Sequence, residues 1–280
     1  MKSILLPTDF SENSWNAIQY ALSFFKKSNC HFYLLHVNRF SNLASVDSSY
    51  ITTQEAIKEA QTKLAKKQLR QYLKRISQEL SHNKKHKFYT LTDYNFFIES
   101  IRNHVKEKEI DMIVMGTKGA SGIKNFIIGS NTGDVITKVP CTTLVVPENA
   151  KFNNINEIAF PTDLSISYHI QTLQPISGVL DEFHSFLRIL HISKKEKDLN
   201  VDQQKHKELL EDYFVNNDCS FHFLTNDNIE NAVQYFVKSR NIDMIAMVAK
   251  NLNYFQRILF LPTIEEISYH TDVPFLVLHE

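Results

Sequence analysis

Ile4-Leu-Leu-Pro-Thr-Asp-Phe-Ser11, close to the start of the chain, returns as Ile158-Ala-Phe-Pro-Thr-Asp-Leu-Ser165. Each is an apolar run that stops at Pro-Thr-Asp, followed by a serine able to cap a helix. Three further blocks repeat in the same order. His31-Phe-Tyr-Leu-Leu-His-Val37 matches Ser185-Phe-Leu-Arg-Ile-Leu-His-Ile192 with one inserted residue. Ile110-Asp-Met-Ile-Val-Met115 matches Ile242-Asp-Met-Ile-Ala-Met247, and Val139-Pro-Cys-Thr-Thr-Leu-Val-Val-Pro147 matches Val273-Pro-Phe-Leu-Val-Leu-His279. Four blocks in one order mark an internal duplication, with expected domains at 1–149 and 155–280. The stretch from Asn149 to Asn156, polar and aperiodic, reads as the linker.

Within each copy, short apolar β-branched runs alternate with longer helical stretches. In the first copy the pattern predicts strands near 3–8, 31–37, 87–91, 111–116 and 142–147, and helices near 12–28, 54–81, 95–108 and 130–138. Continuous apolar strands such as Ile113-Val-Met115 belong to a parallel sheet covered on both faces. The fold class is therefore α/β: two tandem doubly wound, Rossmann-like domains, each on a five-stranded parallel sheet. The second copy follows the same course with a shorter second helix near 200–217. The polar segment from Arg39 to Thr53 follows the second strand, at the sheet edge where ligands of such folds sit; it reads as a lid or a mobile excursion.

Composition narrows the function. Thirty-one basic and thirty-one acidic residues cancel in 280. That balance offers no general electrostatic footprint for nucleic acid or an anionic membrane. No run approaches the roughly 20 apolar residues of a membrane span, and the first apolar run is too short for a signal peptide. Cys30, Cys141 and Cys219 are odd in number and scattered, as expected of reduced thiols in a cytoplasmic protein.

Glycine placement is the most informative feature. Five of six glycines fall in Met115-Gly-Thr-Lys-Gly-Ala-Ser-Gly-Ile-Lys-Asn-Phe-Ile-Ile-Gly-Ser-Asn-Thr-Gly133, and the sixth is Gly178. The cluster begins where the fourth strand ends and finishes where a helix begins. Glycine serves where φ is positive or backbone must approach a ligand, and a helix N-terminus offers unpaired N–H groups to an anion. Gly129, Ser130, Asn131 and Thr132 would open that helix, with the Ser130 or Thr132 hydroxyl available to phosphate oxygens. Gly116 and Gly119 would shape the turn before it. The plainer alternative is a glycine-rich loop with Ser130 as an ordinary N-cap.

The pattern Gly116-x2-Gly119-x9-Gly129-Ser130 resembles the nucleotide motif of the universal stress protein family, and Pro7-Thr8-Asp9 resembles that family's opening. The resemblance covers both copies, in a tandem two-domain form, with the full motif only in the first. It implies an ATP site, or one for another adenine nucleotide, with Mg²⁺, formed by Pro7, Thr8, Asp9, Val37, Met115, Gly116, Gly119, Gly129, Ser130, Asn131 and Thr132. In it Asp9 contacts the nucleoside, the Val37 backbone meets adenine, Gly116 and Gly119 lie around ribose and phosphates, and Gly129 to Thr132 cradle the phosphates. From the residues alone Asp9 reads equally as a helix N-cap. The resemblance also implies a stress-response or signalling module whose nucleotide tunes conformation or association. A nucleotide-free structural scaffold of the same fold is the alternative.

The second copy departs from the motif. Val248-Ala-Lys-Asn251 replaces Gly116-Thr-Lys-Gly119, and Phe260-Leu-Pro-Thr263 stands where Gly129-Ser130 should recur. Pro262 lacks the N–H a cradle needs. Asp163 persists and can cap the following helix. The second domain is expected to be structural or regulatory. The last strands, Thr143–Pro147 and Phe275–Leu278, would be apolar sheet edges, and edges are usually covered. In the resembling family they pair across a dimer interface, so here the domains would form an intramolecular pseudo-dimer, with further homodimerisation open to it.

No catalytic constellation emerges: there is no Gly-x4-Gly-Lys-Ser/Thr loop, Gly-x-Ser-x-Gly elbow or His-Glu-x-x-His. The reading leans away from an enzyme, with at most slow ATP hydrolysis. His82 and His86 lie in a lysine-rich loop without a third ligand, and His36 and His191 recur at matching strand ends as structural groups. Asp111 and Asp243 read as loop caps, and Trp15, Tyr20, Phe24 and Phe25 as core.

Overall fold

The computed structural model describes residues 1–39, 48–80, 82–117, 129–195, 198–249 and 272–279. The first half runs β1 (Lys2–Pro7), α1 (Glu12–Phe24), β2 (Cys30–Arg39), α2 (Ser48–Glu79), β3 (His86–Asn95), α3 (Phe97–Glu107), β4 (Met112–Gly116), α4 (Ser130–Lys138) and β5 (Thr143–Val146). The second runs β6 (Glu157–Thr162), α5 (Ile170–Phe183), β7 (Phe186–Ser193), α6 (Val201–Tyr213), β8 (Cys219–Thr225), α7 (Ile229–Ser239), β9 (Met244–Val248) and β10 (Phe275–Leu278). No helix of the described residues is long and apolar enough to cross a membrane.

The strands form one ten-stranded sheet in the order β3-β2-β1-β4-β5-β10-β9-β6-β7-β8. Within each half neighbours are parallel, and the order reverses beside β1 in the first half and beside β6 in the second. The halves meet where β5 pairs antiparallel with β10, Leu144 opposite Leu276 and Val145 opposite Phe275. Both strands are buried along their whole length. This is the tandem doubly wound α/β fold, with the two expected edge strands covering each other.

Alternation along the strands sends side chains to two faces. Ile4 and Leu6 join the largest core, whereas Leu5 between them joins another. That largest core lies under α1, α2, α5 and α6 and is continuous through both halves, with Trp15, Phe24 and Phe25 beside Phe160, Leu173 and Phe214. The opposite face carries one core under α3 and α4 and another under α7.

The structure corrects several expectations. α1 ends at Phe24, where Phe25 caps it and buries its ring, four residues before the expected end. α2 begins at Ser48, so the last part of the polar 39–53 segment is helical; positions 40–47 lie outside the described residues. α5 starts at Ile170 with His169 as its cap, leaving Ser165 in the preceding turn. The linker is not a loose tether. Ala150 and Ile155 are buried, Phe152 packs edge-on against Tyr20 and Phe24 and touches Phe183, and Asn16 donates to the Pro147 and Ala150 carbonyls. Its polar residues face water while these few apolar ones seal the seam between halves.

Because one core spans the seam, both halves are expected to unfold together in urea, in a single transition. Phe152→Ala should lower the unfolding free energy by about 2–3 kcal/mol, less than a fully buried phenylalanine because the ring is partly exposed. Two separated transitions in the unmodified chain, or no loss in the variant, would contradict the shared core.

Candidate functional site

At the order reversal between β1 and β4 the connections leave on opposite sides, so a crevice opens at the carboxyl ends of these strands. The end of β1 is held by Thr8 N donating to Leu35 O, and the end of β4 by Thr117 N donating to Val146 O. A tight turn follows β1. Thr8 Oγ1 accepts from Phe10 N at 3.1 Å and meets Ser14 Oγ at 2.9 Å; Asp9 Oδ1 accepts from Ser11 N at 3.1 Å and Ser11 Oγ at 2.6 Å. Phe10 takes φ 65°, left-handed backbone that a bulky residue adopts only at a cost of about 1–3 kcal/mol. Its ring stacks on His36 at 4.4 Å, and His36 Nδ1 donates to Thr8 O at 2.8 Å.

The second half repeats the main bonds of this turn, with Tyr168 OH in the place of Ser14 Oγ beside the threonine hydroxyl. Thr162 Oγ1 accepts from Leu164 N, Asp163 Oδ1 accepts from Ser165 N and Oγ, Leu164 takes φ 55°, and His191 Nδ1 donates to Thr162 O. Neither aspartate caps a helix: the α1 cap is Ser11, whose Oγ accepts from Ser14 N, and α5 begins well beyond Asp163. Asp9 is thereby left exposed at the crevice mouth.

Across the crevice stands the N-terminus of α4. Its cap is Gly129, φ −70° and ψ 160°, with no side-chain cap bond, so Ser130 is not the N-cap but the first helical residue. The first intrahelical bond is Gly133 N to Gly129 O. The N–H groups of Ser130, Asn131 and Thr132 consequently have no acceptor within the helix. Ser130 and Asn131 are exposed. Thr132 is buried, and its hydroxyl donates to Gly116 O at 2.8 Å, so it is committed to fixing α4 on β4 instead of being available to phosphate. Gly129 N donates to Thr117 O, clipping together the two ends of the glycine loop. Gly119 lies outside the described residues, as do Lys250, Asn251 and residues 260–263 of the second half.

The remaining expected residues contribute backbone more than side chain. Pro7, Thr8 and Met115 are buried, Met115 in the α3–α4 core. Val37 is half-buried near the end of β2, opposite Asp93 of β3, which accepts from His104 Nε2 at 2.9 Å. Gly116 has a packing reason of its own: a Cβ there would stand 2.7 Å from Asn13 Oδ1 and 2.9 Å from Asn13 Cγ. Asn13, in the first turn of α1, is the residue the sequence reading missed, since nothing in its spacing links it to position 116. By the Asp9/Asp163 correspondence its counterpart is Ser167, ahead of α5, where position 248 can carry valine.

The other conspicuous polar residues are structural. Asp111 Oδ2 accepts from Ser3 N, and Asp243 Oδ2 from Asn156 N and Glu157 N, each tying the start of one strand to another. His86 bonds the Phe25 carbonyl. Among the described residues no group of three or more His, Cys, Asp and Glu side chains could hold a metal ion. Burial holds His191 below its ordinary pKa, only partly offset by its bond to Thr162, and burial does the same to His86, His222 and His279.

The universal stress protein family model matches residues 1–147. A universal stress protein of Methanocaldococcus jannaschii is 28% identical over 152 residues, covering 54% of this chain and 84% of its own length. YxiE, a universal stress protein of Bacillus subtilis, is 26% identical over 145 residues, 51% of this chain and 97% of its own. Over nearly the whole length, the crystal structure of a universal stress protein from Archaeoglobus fulgidus shares the fold, with a TM-score of 0.64, 98% of this chain and 97% of that one covered, and 16% identity.

Gly116→Ala is expected to cost about 1–3 kcal/mol in urea unfolding, as overpacking does. Adding Asn13→Ala should recover most of it, a non-additivity that a double-mutant cycle reads directly. The lowered histidines set a pH dependence: their contribution to stability is full above the unfolded value of 6.5 and is lost as pH falls through their lower folded values. The urea midpoint should therefore drop on acidification below about 6.5, and His191→Gln should flatten that drop.

Proposed function

The chain belongs to the universal stress protein family, and on that premise we propose that its first half, residues 1–149, binds one adenine nucleotide, ATP in the first instance. The base and ribose lie between Asp9 and the Val37 backbone. The phosphates rest on the α4 N-terminus, at the N–H groups of Ser130, Asn131 and Thr132, with Gly116 beneath them; Gly119 belongs to the same motif in the sequence. The observation that carries this reading is the uncapped α4 start at the carboxyl edge, where the strand order reverses, since three N–H groups and the helix dipole there favour an anion. Mg²⁺ would arrive bound to the phosphates, because the described residues offer no metal-binding cluster.

The second half, 155–280, is proposed to be a nucleotide-free partner domain, and the β5–β10 junction an intramolecular pseudo-dimer. Nucleotide then acts as a cytoplasmic stress-response signal by favouring one conformation or assembly over another, which requires different affinities for the two. One observation favours a nucleotide-free scaffold instead: Gly116 is already explained by Asn13.

Denaturing freshly purified protein should release about one adenine nucleotide per chain, identified by chromatography and mass. Mg-ATP at about 100 times its Kd should raise Tm by about 5–10 °C, and Gly129→Trp should abolish the rise. No nucleotide and no stabilisation would favour the scaffold; two nucleotides per chain would assign a working site to the second half.

A further inference from the structure

Gly178 stands apart from the glycine cluster, inside α5 and three residues after Pro175. Both residues weaken a helix. Pro175 lacks the N–H that would bond the Gln171 carbonyl, and Gly178 adds freedom to the unfolded chain. Packing does not demand the glycine: it is exposed, and outside its own helix no atom lies within 4 Å of where its Cβ would stand. Both instead line a cleft of about 350 Å³ between α5 and the first half. The cleft sits at the amino ends of β1 and β4, at the opposite edge of the sheet from the nucleotide crevice, since α1 runs from Ser11 at the crevice to Phe24 here.

Its wall is aromatic, with Phe24, Phe25 and Phe183. Its polar rim is richer in acceptors than donors. The Glu182 carboxylate, with a side chain only 17% exposed, accepts from Ser28 Oγ at 3.2 Å on each oxygen. Asp111, whose Oδ2 also accepts from Ser3 N, and Gln171 line the same space. One cation is already in place: Lys2 Nζ lies 3.9 Å from Glu182 and 5.4 Å from the centre of the Phe25 ring. A carboxylate and an aromatic face together are what an ammonium group seeks. Lys2 supplies one from a side chain that is 45% exposed and free to swing outward.

We propose that this cleft is a second ligand site, for a small organic amine with an aromatic or branched apolar body. The ligand's ammonium replaces that of Lys2 between Glu182 and Phe25, and its body fills the space left by Gly178 against Phe183. The site uses none of the nucleotide residues.

The test is calorimetric titration of the full chain with 2-phenylethylamine and with 3-phenylpropionate, in the absence of nucleotide, so that it succeeds or fails independently of the α4 site. The amine should bind about tenfold more tightly than the acid. Lys2→Ala, which removes the competing ammonium, should tighten the amine, and Glu182→Gln should weaken it about tenfold. Gly178→Leu should abolish binding; if that variant does not fold, the opposite responses of Lys2→Ala and Glu182→Gln decide the matter. The proposal is overturned if millimolar amine does not bind, if the acid binds equally well, or if folded Gly178→Leu binds the amine undiminished.

Discussion

The antiparallel pairing of β5 with β10 is the constraint on which the rest of the molecule depends. Each is four residues long and buried throughout, apolar but for Thr143, and each would otherwise end a sheet with unpaired N–H and C=O groups beside exposed valine and leucine. Joining them turns two open sheets into one and lets α1 and α5 close over the seam. It also fixes the linker, because Phe152 and Ile155 then have a core to enter. An antiparallel junction points the carboxyl ends of the two halves in opposite directions, so their crevices cannot merge into a single site.

The halves have diverged unevenly around that frame. The Pro-Thr-Asp turn is retained in both, including left-handed backbone at Phe10 and Leu164, residues that adopt it only under constraint from the surrounding bonds. What differs is the helix after it. In the first half α1 starts at once and places Asn13 against Gly116; in the second the helix starts later and valine takes the glycine's place. Valine at position 248, where the first half has Gly116, therefore goes with a later start of the neighbouring helix. α5 carries Pro175 and Gly178 along the cleft at the seam.

Much of the fold is legible in the residues alone. Repeated apolar blocks give the duplication, continuous β-branched runs give buried parallel strands, and the α4 boundaries follow from glycine before it and Val139-Pro140 after it. These are local signals, encoded in neighbouring residues. The candidate site is legible to the same degree. The glycine loop and the α4 start are visible because their chemistry is backbone chemistry, which sequence spacing reports directly.

What each side chain does with its polar atoms emerges only from long-range packing. Thr132 looks available to an anion until its hydroxyl is seen bonded to Gly116 O, and Asp9 looks like a cap until Ser11 is seen to be one. Asn13 acquires meaning only against a glycine 103 positions away. The seam, the packed linker and the cleft beside Gly178 likewise join residues from different halves. Repeated blocks and glycine spacing specify two copies of an α/β domain and one glycine-rich loop before a helix. Which donors and acceptors remain unused, and which edge strands meet, depends on contacts between residues far apart in the chain, and spacing along a sequence carries no record of those contacts.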